Sequence, residues 1–119
     1  MTTQEIAARL AELCRNGEFE TAYKELFSED ACSIEPEAMG GFEKETKGLD
    51  AMFKKAEQFG QMVEAIHGIE VSEPLVAGNS IALKLTLDST MKGRERQTMT
   101  EICLYKVKDG KIISEEFFM

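Results

Sequence analysis

Basic residues are scarce in this sequence. It has 14 Lys and Arg against 22 Asp and Glu, a net charge of −8 over 119 residues, and no basic run exceeds Lys54-Lys55. A phosphate-backbone partner needs clustered cations, so nucleic acid is excluded as an expected partner. Cysteine occurs only as Cys14, Cys32 and Cys103. The number is odd and the spacings match no disulfide or metal framework, which leaves three small core residues in a reducing compartment. With one histidine, His67, and scattered carboxylates, no metal set is expected. No apolar run approaches membrane-spanning length. Met1-Thr2-Thr3-Gln4-Glu5 lacks the basic and apolar regions of a signal peptide, so the expected location is the cytoplasm. There is no Gly-rich phosphate loop after a strand, no nucleophile elbow and no Ser-His-Asp pattern, and no cofactor is expected.

What is present is enough apolar sequence, 43%, for one core, and the expectation is one domain over residues 1–119. The first half has helical period and the second half strand period. Thr2 and Glu5 have capping-box spacing, followed by Ile6, Leu10, Leu13 and Cys14 on one stripe. Asn16-Gly17 ends that helix. A second helix from about Glu18 places Phe19, Ala22, Tyr23, Leu26 and Phe27 together. Ala31 to Ile34 reads as a short strand stopped by Pro36, and Glu37 to Thr46 as a loop with Gly40-Gly41 and Phe42. A third helix carries Leu49, Met52, Phe53, Ala56 and Phe59, and Gly60 closes it. Four strands follow, with turns at Gly78-Asn79, Gly93 and Asp109-Gly110. Helices segregated on one face of a curling antiparallel sheet give an α+β fold: a cone-shaped curved sheet wrapped around three N-terminal helices, with a pocket inside.

Five polar positions fall where patterning expects apolar ones. Glu35 ends the first strand. His67 interrupts the alternation of Val63, Ala65, Ile69 and Val71. Glu101 and Tyr105 lie on the face of Met99, Cys103 and Val107. Either Glu115 or Glu116 must also face inward. A two-residue turn at Asp109-Gly110 places Glu116 beside Cys103, whereas a three-residue turn with a glycine bulge places Glu115 there, with Ile113 and Phe117 inward. The second arrangement is the one expected. A carboxyl in apolar surroundings resists ionisation, and several in one pocket push their pKa values apart. With His67, these groups suit proton abstraction beside a carbonyl, or acid–base-assisted cyclisation, dehydration or hydrolysis. The plainer alternative for each is a solvated strand end or a satisfied core side chain.

Phe27-Ser28-Glu29-Asp30-Ala31-Cys32-Ser33-Ile34-Glu35-Pro36 resembles the Phe-x-x-Asp-Ala stretch of the nuclear transport factor two-like superfamily. Lys47-Gly48-Leu49-Asp50-Ala51-Met52 resembles the opening of its third helix, and Tyr105-Lys106-Val107-Lys108-Asp109-Gly110-Lys111-Ile112 its final hairpin. The order of elements agrees over almost the whole chain, most closely with the SnoaL-like, polyketide-cyclase-like branch. The resemblance implies a cystatin-like roll that binds a small apolar or mixed-polarity molecule and forms a homodimer through the sheet. Compared with the ketosteroid isomerase branch, the general base falls at Glu35, but the donor positions fall near Leu10 and Cys103, which argues against steroid isomerisation. The resulting expectation is a cofactor-independent acid–base enzyme. Glu35 is the candidate base, His67 and Glu101 form a proton-handling pair, and Tyr105 is a donor. Cys103, Glu115, Leu85, Leu87, Phe53 and Phe117 complete the substrate-binding set. The alternative is a non-catalytic ligand-binding or dimerisation module.

Overall fold

A computed structural model of the chain describes residues 1–36 and 44–119. The expected loop features Gly40-Gly41 and Phe42 lie outside the described residues. The elements run α1 (Thr3–Arg15), α2 (Phe19–Leu26), β1 (Phe27–Ile34), β2 (Glu45–Lys47), α3 (Leu49–Met62), β3 (Val63–Val71), β4 (Leu75–Ala77), β5 (Ser80–Met91), β6 (Arg96–Lys108) and β7 (Lys111–Phe118).

Local chemistry explains the helix ends. Thr2 accepts from the Glu5 backbone N–H while the Glu5 carboxylate accepts from that of Thr2, a closed capping box. Gly17, at φ 74°, turns the chain out of α1 as the sequence predicts. Phe27 departs from expectation. It caps α2 in an extended conformation and opens β1, which is therefore eight residues long rather than four. The third helix also runs through Gly60 to Met62.

The sheet is curved and unclosed, in the order β2-β1-β7-β6-β5-β3, with β4 paired to β5. It is mixed rather than wholly antiparallel, because β1 runs parallel to β7. The wider α+β reading, a curled sheet against three helices, agrees with the structure. One face buries Ile81, Leu83, Cys103, Tyr105, Val107 and Ile112 against Ile6, Leu10, Leu13, Leu26 and Met52 of the helices.

Two irregularities decide which polar groups join that face. In the last hairpin Lys108 pairs with Lys111 across Asp109-Gly110, both at positive φ, which is a two-residue turn. Val107 then pairs with Ile112 but Lys106 with Ser114, so Ile113 is an extra residue. This bulge, and not a longer turn, brings Glu115 to the buried face opposite Tyr105, with Phe117 opposite Cys103. Ile113 is thereby set out of the inward series in which patterning expects it. In β3, Ile66 pairs with Ser89 and Gly68 with Asp88, so His67 is likewise an extra residue.

Leu10 is 1% exposed at the centre of the α1 contact. Leu10→Ala should therefore lower unfolding free energy by about 2–5 kcal/mol in urea titrations. A loss under about 1 kcal/mol would mean that α1 does not cover the sheet.

Candidate functional site

The site is built where β1, α3, β6 and β7 approach one another. Glu115, 3% exposed, sits at the inner end. Its Oε1 accepts a 2.7 Å hydrogen bond from the Tyr23 hydroxyl of α2, and Ser33 on β1 is its register partner. Ser33 is fully buried, and its Oγ accepts from Lys55 Nζ at 3.3 Å. The same ammonium donates to Glu35 Oε1 at 2.9 Å. Its side chain is 15% exposed, and that of Glu35 27%. Tyr23, Glu115, Ser33, Lys55 and Glu35 thus form one polar series from the core toward the surface.

Glu101 lies on the same face, opposite Leu85 on β5, with its Oε1 3.8 Å from Cys103 Sγ. Burial, and secondarily the charge of Glu35, push its pKa up to about 7. Glu115 is also pushed up to about 7, chiefly by burial. The hydrogen bond from Tyr23, the Ser33 hydroxyl and the charge of Lys55 hold it back from rising further. Burial raises the Tyr23 phenol well above its ordinary range, helped by the Glu115 charge. The pair is therefore an O–H donor on a carboxyl group, not a second anion.

The sequence-predicted residues divide clearly. The charge of Glu35 reaches Glu101, and the bonds of Lys55 to Glu35 and Ser33 lead inward toward Glu115. His67 does not join them. The bulge in β3 leaves it exposed, with Nε2 2.8 Å from Thr90 Oγ1, on the side of the sheet that carries the Asp88–Arg96 ion pair. Tyr105 is a core residue, 4% exposed and edge-on to Phe27 with ring centroids 6.3 Å apart. Cys103 is fully buried and Glu115 nearly so, which makes them the floor under the site rather than groups that meet a ligand. Leu85 and Phe117 are half-buried against the core, Leu87 is half-buried, and Phe53 lies edge-on to Tyr23. Glu116 is half-buried opposite Leu104, on the other face of β7. Sequence reasoning misses Tyr23, Ser33 and Lys55. Tyr23 reads as one more member of a helical apolar stripe, and Ser33 carries no signal at all. Lys55 follows Phe53 by two, and helical periodicity alone does not reveal a lysine turning inward.

A SnoaL-like domain model matches residues 1–119. The chain belongs to the SnoaL-like family. This SnoaL-like chain is 38% identical to a protein of Mesorhizobium loti assigned as a SnoaL-like polyketide cyclase, over 100% of both chains, with a TM-score of 0.89. Two more distant structures share the fold. TerC, crystallised with polyporic acid, is 16% identical over 99% of this chain and 92% of its own, at TM-score 0.79. A ketosteroid isomerase-like fold from Catenulispora acidiphila, in complex with trimethylamine, is 15% identical over 99% and 87%, at TM-score 0.76. No curated protein matches the chain. Among the described residues no helix is long and apolar enough to cross a membrane, and no group of three His, Cys, Asp or Glu side chains is placed to hold a metal.

The raised carboxyl pKa values set a pH dependence of stability. Glu101 and Glu115 titrate at about 7 when folded, against 4.5 as the ordinary value. The folded chain therefore holds more protons between those limits, and stability falls as pH rises through that window. Chemical denaturation across the window should show this decline, with a shallower slope in Glu115→Gln. Stability that climbs with pH there would contradict the burial of these groups. Glu115→Ala should cost roughly 1–3 kcal/mol at low pH, because the Tyr23 hydroxyl loses its partner.

Proposed function

We propose that this SnoaL-like protein, a single domain over residues 1–119, binds a small molecule of apolar or mixed polarity beside α3. On it the protein carries out cofactor-independent acid–base chemistry of the isomerase, cyclase, dehydratase or hydrolase type. The observation that carries this reading is the half-buried Glu35–Lys55 ion pair, 2.9 Å long, whose carboxylate charge reaches the half-buried Glu101 and helps to raise its pKa. Glu35 is the base. Glu101, with its pKa near 7, is protonated in about half of the molecules at neutral pH and can release that proton to a substrate oxygen. Leu85, Leu87, Phe53 and Phe117 form the apolar wall. His67 has no part in this reading.

The similar proteins support a small-molecule ligand, since one was crystallised with polyporic acid and another with trimethylamine. Ile102 and Phe118 are register partners on the outer face of the sheet and are 45% and 47% exposed. This apolar pair supports a homodimer formed through the sheet. A cytoplasmic location belongs to the same proposal.

The test is deuterium incorporation beside the carbonyl in a panel of ketones and β-keto esters, followed by NMR in heavy water. At least one compound should exchange faster with the protein. Glu35→Gln should slow that exchange by about 10²-fold or more. Turnover that needs protonated Glu101 should fall as pH rises through about 7. If no compound exchanges faster and Glu101 titrates near 4.5, the protein is a binding module and not an enzyme.

A further inference from the structure

We propose that Lys55 holds the substrate's reacting oxygen while Glu35 removes the proton beside the carbonyl. The inference rests on the reading of Glu35 as the base and adds the group that receives the displaced electron pair.

Three observations carry it. An ammonium has three N–H donors. Among the described residues Lys55 uses two, on Glu35 Oε1 at 2.9 Å and Ser33 Oγ at 3.3 Å, so one remains for a ligand. Second, at 15% side-chain exposure the ammonium is withdrawn from bulk water without being sealed. Preorganised donors in such places stabilise developing negative charge most effectively. Third, apart from the Glu101 carboxyl, which delivers a proton rather than a fixed charge, the neighbouring donors are committed or out of reach. The Tyr23 hydroxyl is spent on Glu115, and Cys103 is fully buried. Among the described residues Lys55 is also the one cation whose charge bears on both Glu101 and Glu115.

The charge movement is self-consistent. The C–H bond beside the carbonyl breaks, its proton goes to the Glu35 carboxylate, and the electron pair moves onto the carbonyl oxygen. Glu35 becomes neutral as the oxygen becomes anionic, so the ion pair on Lys55 passes from Glu35 to the substrate. Net charge in the site does not change. Return of the proton from Glu35 to a different carbon completes an isomerisation with no co-reactant.

The probe is 4-nitrophenol, whose phenolate mimics the enolate oxygen and is yellow where the neutral phenol is not. It is titrated with protein at a pH where the free dye is mostly neutral, and binding is followed separately by NMR. Wild-type protein should bind the dye saturably and turn it yellow as Glu35 takes its proton. In Lys55→Gln the anionic form should bind about tenfold weaker or worse, and Lys55→Arg should retain it. Circular dichroism checks that both variants fold, and the arginine variant guards against a merely structural loss. Dye that binds wild-type protein but stays neutral overturns the role of Lys55 and leaves the ligand-binding reading standing. That role is overturned equally if Lys55→Gln matches wild type, or if Glu101→Gln rather than Lys55→Gln abolishes the colour. Failure of the dye to bind at millimolar concentration removes the ligand-binding reading and this inference with it.

Discussion

The carboxyl of Glu115 sits in the apolar interior, and much of the architecture follows from satisfying it. An unbonded acid there would cost several kcal/mol. The Tyr23 hydroxyl supplies its bond and Ser33 stands opposite it in register, so that α2, β1 and β7 meet at one point. The parallel pairing of β1 with β7 places Ser33 opposite Glu115, and the extra residue at Ile113 turns Glu115 rather than Glu116 inward. A one-residue slip would send that carboxyl to the other face and bury its neighbour instead.

From that anchor the polar chain climbs outward in order of exposure: Glu115 sealed, Ser33 sealed, Lys55 nearly so, Glu35 and Glu101 partly open. Three carboxyls share a single ammonium. Full ionisation of all three is disfavoured by burial first and by mutual repulsion second, so the interior keeps protons at a pH where surface carboxyls have lost theirs. The structure thus separates two jobs. The inner acid and its partners fix geometry, and on the proposed reading the outer pair is where a small molecule would meet a tuned proton donor, a base and a cation.

Much of this is legible in the residues, and the misses have physical causes. The Thr2–Glu5 cap, the Asn16-Gly17 stop, the Asp109-Gly110 turn and the apolar alternation of Ile81 to Leu87 are local signals, and each marks the element it predicts. Glu101 stands out because strict period-2 alternation holds along β6. His67 is misplaced by the same rule because alternation fails at a bulge, and a bulge depends on the partner strand, not on the residue itself. A longer turn predicts Glu115 inward by the wrong device, since the slip occurs inside β7 and not at the turn. Phe27 fits a helical stripe and a strand equally well, and only the β7 pairing decides. Lys55 is invisible in the sequence because its partners, Glu35 and Ser33, are about twenty residues away along the chain.

The central claim is that the fold keeps carboxyl groups protonated in its interior up to about pH 7, well above the ordinary carboxylate range. Infrared spectroscopy of the folded protein at about pH 6 reads this directly, because a protonated carboxylic acid has a carbonyl band that a carboxylate lacks. Such a band is expected in the wild-type protein, reduced in Glu101→Gln and in Glu115→Gln and absent when both are changed. A wild-type spectrum with no protonated acid at that pH would contradict the claim.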